Sequence, residues 1–477
     1  MQHQALRDST GKEKMWLLVL VLVAGAARLI PEIIAYPIPI GYDVINYYIP
    51  VLTNFYIHWD IVSTQFPLYV LILYSVTSVT MLAPKIIVPT AAILFYILFS
   101  VSVFYLARRV FQLDCSGSFF LSLFVIFQSS LLRTTWDLHK DMLSLTAMFF
   151  AISLGLTSKY VSKGIFVLVL SLCIVSALTD RMVGLLSVGT LIVYAVIKRR
   201  KIEGILATVT TFVFIAALLQ SGVQIGSNIH VFSGAPNTSG YHQINLIILF
   251  AVASGILLPF GIFGFMNVRN KILKIPLLLS LIGSFSWVIY PGFSGLVPDR
   301  WIIIFSIFMS MFAGYGIVIL IGKRSYIGVK REIFYIIFVL APFVIIGMLF
   351  AISSSYAPIS LFAPFHNYIG QFGPVTMQSN SISIQASKSI ISAIHWINQN
   401  TPQGSIIVID KHWRGWTELE LKNRSFLYYE DIAKLTARHQ NYYILISATT
   451  SSPPHSGNGK VLLVHSNDSF FIYEIIS

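Results

Sequence analysis

Residues 15–34 read MWLLVLVLVAGAARLIPEII, and the chain then runs on through Gly41-Tyr42-Asp43. A bilayer crossing takes about 20 apolar residues, and the first stretch supplies them. It is too long for a signal h-region and no small-x-small cleavage site follows it, so it reads as a retained span. An acid just beyond a span is a candidate for function, because charge near the bilayer is costly to keep. Four more acids recur in the same relation to apolar stretches: Asp137, Asp141, Asp180 and Asp299.

Composition carries this reading to the whole chain. Of 477 residues, 56% are hydrophobic and 11% charged, and the mean hydropathy is +0.77. That balance defines a polytopic α-helical membrane protein. The net charge of +13 does not mark a nucleic-acid binder, because the basic residues are dispersed over short loops between apolar stretches, where they set topology. Cys115 and Cys173 both fall in apolar stretches and imply neither a disulfide framework nor a zinc site.

Apolar stretches run over 15–35, 66–82, 85–107, 115–132, 141–157, 164–179, 182–197, 204–221, 244–266, 274–290, 301–321 and 333–352. From Arg108-Arg109 onward, basic clusters mark every second connection, including Lys198-Arg199-Arg200-Lys201 and Lys323/Arg324/Lys330/Arg331. These connections are assigned to the cytoplasm, as is the N-terminus with Arg7, Lys12 and Lys14. Both assignments hold only if one early stretch does not cross. Phe66–Leu82 is the candidate: it opens at Pro67 and carries Ser75, Thr77, Ser78 and Thr80. A re-entrant or interfacial segment there leaves about 11 spans. The N-terminus is then inside, and Asp43, Asp137, Asp141, Asp180 and Asp299 are all outside.

Residues 1–352 form the membrane domain, 353–380 a linker rich in Ser, Pro, Gly and Asn, and 381–477 a small exterior α/β domain. In that tail, residues 385–399 have helical spacing. Strand-like runs follow at Ser405–Ile409, Ser425–Tyr429, Tyr442–Ile446, Val461–His465 and Phe470–Ile475. The aromatic and charged run His412–Glu418 reads as a sugar or peptide platform or as a domain-packing corner.

Two exterior loops, 36–84 and 133–141, hold the candidate chemistry. The first carries Tyr42, Asp43 and Tyr47, and residues 43–58 fit an amphipathic helix on the membrane surface. Asp43 is either a functional acid or an N-cap. The second loop packs Arg133, Asp137, His139, Lys140 and Asp141 into nine residues, and a continuous helix would put Asp137 and Asp141 on one face. Asp137, His139, Tyr42 and Tyr47 are the candidates for contacting a donor or acceptor. Asp180-Arg181 reads as a structural ion pair or a site. Arg300 suits phosphate oxygens or, with Trp301, an interfacial anchor. Arg28 and Glu32, four apart in the first span, are expected to pair. No phosphate-binding glycine loop, His-Glu-x-x-His, Gly-x-Ser-x-Gly or Asp-x-Asp occurs, so no metal or other cofactor is called for.

The layout, with Gly41-Tyr42-Asp43…Tyr47-Tyr48, Pro67-Leu68-Tyr69, Tyr105-Leu106-Ala107-Arg108-Arg109, Trp136-Asp137-Leu138-His139-Lys140 and Asp299-Arg300-Trp301, resembles the GT-C superfamily of membrane glycosyltransferases. The kinship lies toward protein O-mannosyltransferases and aminoarabinose transferases. The resemblance implies an inverting, metal-independent transfer of a sugar from a polyprenyl (dolichyl) phosphate carrier to a protein, lipid or glycan acceptor at the outer face of a cell envelope. It implies Asp43 as the base, and Arg300, Lys140 or Arg181 as holders of the lipid phosphate. The sequence departs from relatives in two places: Val44 follows Asp43 where protein O-mannosyltransferases have Asp-Glu, and the tail lacks the Trp-Trp-Asp of oligosaccharyltransferases. The rival functions are a transporter or flippase of lipid-linked saccharide, which calls for charges inside the spans, and a non-catalytic scaffold.

Overall fold

The computed structural model describes residues 2–41, 43–63, 66–156, 162–221, 240–289, 298–322, 338–347, 384–410, 413–429, 442–447 and 460–476. The expected linker 353–380 lies outside them. The first helix, α1 (Gln2–Ala35), stops where Tyr36-Pro37-Ile38-Pro39 begins, since proline lacks the amide donor a helix needs. After Gly41 the chain enters α2 (Val44–Thr53). Its first turn, Val44–Tyr48, is a π-turn. Pro50 has no N–H to give the carbonyl of Asn46, and next to it the ladder widens, with Ile49 N–H reaching the Val44 carbonyl.

The short helices α3 (Trp59–Ser63) and α4 (Leu68–Thr80) follow, then α5 (Pro84–Arg109). The 13 residues of α4 rise about 20 Å, short of the roughly 30 Å hydrocarbon core. Beyond α5 come α6 (Cys115–Ile126), α7 (Ser129–Asp137), α8 (His139–Ala151), α9 (Lys163–Thr179), α10 (Arg181–Lys198), α11 (Lys201–Gln220), α12 (Gly240–Ser254), α13 (Leu258–Asn267), α14 (Lys274–Ser284) and α15 (Pro298–Gly322). A last apolar helix, α16, spans Phe338–Gly347.

Among the described residues, six helical segments are long and apolar enough to cross a bilayer: Gly11–Ala35, Pro84–Arg109, Arg181–Lys198, Lys201–Gln220, Leu246–Asn267 and Pro298–Ile321. The pair α6–α7 makes a seventh if counted as one span, bent by 64°. The other expected spans coincide with shorter helices, among them α8, α9, α14 and α16.

The apolar stretch 115–132 was expected to run straight, with a loop at 133–141. Instead the helix breaks at Phe127–Gln128, resumes as α7 through Asp137, breaks again at Leu138 and restarts as α8. Polar Gln128, Ser129 and Ser130 end the apolar run, and Leu138 (φ −95, ψ 52) leaves helical geometry. Asp137 and Asp141 therefore belong to different helices.

The helix α15 is apolar on all sides and nearly all of it is buried, so it forms the axis of the bundle. Phe305, Phe308 and Phe312 on α15 pack in one core with Phe99, Phe104, Phe124 and Phe149. The helix α13 lies against it backbone to backbone. A side chain at Gly264 would strike the carbonyl of Phe312, and one at Gly316 the carbonyl of Phe260. Small residues of this kind let membrane helices approach closely. The result fixes α15, and with it Asp299 and Arg300 in its first turn.

The tail folds as read. Helix α17 (Ile384–Asn400) ends before Gly404, which takes φ +81. Strands β1 (Ile406–Ile409), β2 (Ser425–Tyr428), β3 (Tyr442–Ser447), β4 (Lys460–Ser466) and β5 (Phe470–Ile476) form one sheet in the order β2-β1-β3-β5-β4. The pairs β1–β2 and β1–β3 are parallel, and β3–β5 and β4–β5 antiparallel. Between β1 and β2 lies a short helix, α18 (Arg414–Glu420). The inner face of this domain shares a single apolar core with the short helices α2 and α4: Ile394, Ile397, Ile407, Trp416 and Ile472 belong to the same cluster as Val44, Ile45, Ile49 and Tyr69.

Candidate active site

Asp43 stands at the start of α2 and makes no capping hydrogen bond with its side chain. Capping therefore does not explain the residue. Its charge acts on Tyr47 and Tyr48 on the same helix. Burial first, and then the Asp43 charge, hold both tyrosine hydroxyls well above the usual range, so both stay protonated donors.

Lys140, in the first turn of α8, reaches this group from the bundle. Its Nζ lies 3.4 Å from Tyr47 Oη and 4.6 Å from the centre of the Tyr47 ring, within cation–π range. The charges acting on Lys140 are those of Asp180, Asp43, Arg300 and Asp141. Arg300 in turn feels Asp141, Asp43, Asp180 and Asp299. Residues from four separate elements, α2, α8, the α9–α10 turn and α15, thus converge at one end of the bundle. The charges of Asp43, Asp141 and Asp180 act on both cations, and that of Asp299 on Arg300.

Local structure explains how each is presented. Asp180 joins α9 to α10 and caps α10, accepting from the amides of Met182 at 2.7 Å and Val183 at 2.9 Å. Its carboxyl also meets that of Asp141. Capping turns Asp180 inward and leaves the next residue, Arg181, exposed. The expected Asp180–Arg181 ion pair is therefore replaced by a cap. Among the described residues, Arg181 is not one of the leading charges on Lys140, Asp141 or Arg300. Asp299 is buried in the first turn of α15, where the helix dipole favours an acid.

His139 is present but does not line an opening. It is 1% exposed, stacks on Tyr48 with ring centroids 5.4 Å apart and planes at 9°, and its Nδ1 lies 3.0 Å from Tyr69 Oη. It ties α8 to α2 and α4. Tyr42 and the side chain of Asp137 lie outside the described residues. The sequence also did not bring forward Asp141 and Asp180 as partners of Lys140 and Arg300. Their recurrence at apolar boundaries was the available signal, but only the packing of α8 against α9 and α10 joins them.

Beneath this group, Arg28 of α1 is wholly buried and pairs with Glu32 at 2.7 Å, as its spacing predicted. Its charge reaches Tyr69, Tyr96 and His139.

A bundle of apolar helices, with short helices after the first span and a small α/β domain packed on them, is a fold shared with a solved structure. The chain aligns with the crystal structure of ArnT from Cupriavidus metallidurans in the apo state, with a TM-score of 0.56 and 13% identity over 97% of this chain and 98% of that one. The cryo-EM structure of the arabinofuranosyltransferase AftD from Mycobacteria aligns over 97% of this chain and 40% of that one, with a TM-score of 0.49 and 11% identity. No family model and no curated protein matches the sequence. At these identities the likeness carries the fold, and function has to be argued from the site.

Proposed function

We propose that the protein is a membrane glycosyltransferase that moves a sugar from a polyprenyl (dolichyl) phosphate carrier to an acceptor at the outer membrane face. The observation that carries this reading is Lys140 seated on Tyr47, about one turn of α2 beyond Asp43, with the Asp43 charge acting on both Lys140 and Arg300. Asp43 takes the proton of the acceptor hydroxyl as its oxygen attacks the anomeric carbon. The bond from that carbon to the carrier phosphate breaks, and the lipid phosphate leaves with the bonding pair. Lys140 and Arg300 stabilise the charge that develops on it. Attack opposite the leaving phosphate inverts the anomeric centre, and the two cations supply the electrostatic work without a metal. Tyr47, a protonated donor held by Lys140, stands where it can orient the acceptor or the phosphate. Exposed Arg181 remains available to a phosphate at the rim.

The test is sugar transfer by the purified full-length protein in proteoliposomes, offered a panel of radiolabelled polyprenyl-phosphate sugars with a lipid and a peptide acceptor. Label transferred from one donor, with anomeric configuration inverted, supports the reading. No transfer from any donor, with donor movement across the bilayer instead, would replace it with the flippase reading.

A further inference from the structure

The exterior domain meets the Asp43-bearing helix through a contact with no slack. The amide of Gly415, at the start of α18, donates to Asn46 Oδ1 at 2.8 Å. A methyl group at Gly415 would lie 2.8 Å from Asn46 Cα and nearer still to the carbonyl oxygen of Ile45. Only a glycine permits that approach. The neighbouring Trp416 is buried in the core shared with Val44, Ile45 and Ile49.

The far end of α18 is fixed as well. Glu420 pairs with Lys85 of α5 at 3.0 Å and with His395 of α17 at 3.5 Å, and its carbonyl accepts from Asn398 Nδ2 at 2.7 Å. The helix therefore bridges the sheet domain and the membrane bundle. It bears on α2 between Asp43 and Tyr47, inside a π-turn whose ladder is already widened next to Pro50.

We infer that the exterior domain is a positioning element for the site, and that Gly415, seated on Asn46, sets where Asp43 and Tyr47 stand relative to Lys140. Gly415 and Asn46 are positioning residues: they act on the reaction through the backbone of α2. The effect on turnover rests on the functional reading above, whereas the effect on α2 does not.

Two readouts separate those layers. The first is hydrogen–deuterium exchange over residues 43–53 of the full-length protein in nanodiscs, for wild type, Gly415→Ala, Asn46→Ala and the rim variant Lys85→Ala. The second is steady-state transfer. Exchange over 43–53 is expected to rise about fivefold in Asn46→Ala, the equivalent of one net hydrogen bond, and further in Gly415→Ala. Relieving the Gly415→Ala clash to ordinary contact near 3.5 Å moves the segment by roughly 1 Å. A displacement of that size costs about 10²-fold in kcat. Lys85 is exposed, an ion pair so placed holds little, and His395 and Asn398 still hold Glu420, so Lys85→Ala is expected to leave both readouts near wild type. Exchange over 43–53 unchanged in both Gly415→Ala and Asn46→Ala overturns the inference, as does raised exchange with kcat intact. A wild type that transfers no sugar refutes the functional reading instead, and the exchange arm still decides the clamp.

Discussion

Arg28→Met probes the charge beneath the site. The Arg28 guanidinium has 0% exposure and its Nη2 is 2.7 Å from Glu32 Oε1, with Glu32 12% exposed. Among the described residues, its Nε and Nη1 have no hydrogen-bond partner. At an effective dielectric near 20, charges at that separation attract by about 6 kcal/mol. Removing the pair from water costs several kcal/mol per ion, so the net contribution is near zero. The consequence of breaking it is asymmetric. Glu32→Gln strands a wholly buried cation and is expected to lose about 5 kcal/mol of stability, the upper end for such changes. Arg28→Met strands an acid that water can still reach, and is expected to lose about 3 kcal/mol. The double variant is expected within about 1 kcal/mol of wild type, because both unpaired charges are gone. The assay is reversible unfolding in mixed micelles for all four corners of the cycle. A single Arg28→Met variant as stable as wild type, or a double variant whose loss equals the sum of the singles, would refute the argument that these two charges balance each other inside the bundle.

Further outcomes follow from the packing and the charge cluster. Gly264→Leu places a side chain into the Phe312 carbonyl at the α13–α15 contact, and is expected to cost 3 kcal/mol or more, about the upper limit of ordinary overpacking, read as lost folded yield and lower Tm. Lys140→Gln removes one of two cations facing Asp43, Asp141 and Asp180, and is expected to lower kcat for transfer about 10²- to 10³-fold, the usual effect of deleting one charge-stabilising donor. His139→Phe keeps the stack on Tyr48 but strands the Tyr69 hydroxyl, so unfolding measurements should show a loss of about 1–3 kcal/mol.

The legible and illegible parts of the structure divide by range. The tail strands and the helix 384–400 carry their period in adjacent residues, and each lies where that period puts it. Six of the expected spans are legible for the same reason, since a bilayer demands an unbroken apolar run. The breaks at Gln128 and Leu138 were not legible, because Gln128-Ser129-Ser130 inside the stretch 115–132 allows a break without requiring one. The bend is decided by the packing of α7 against α8 and α15. Asp43 could be singled out from its place after the first span. That Asp180 would turn in and Arg181 out depended on a cap, which the local text allowed but did not require. The run His412–Glu418 offered a packing corner as one reading, but nothing in it singled out Gly415, whose role arises from the approach of a backbone 369 residues away in sequence.

The central claim is that Asp43 is the base of a sugar transfer, and Asp43→Asn tests it most directly. The variant keeps size and shape and removes the proton acceptor. Wild type and Asp43→Asn, matched for Tm and membrane insertion, are compared for transfer from the same labelled polyprenyl-phosphate sugar. Transfer is expected to fall at least 10²-fold, the lower bound for a general base, while donor binding persists. Transfer by Asp43→Asn at the wild-type rate would contradict it.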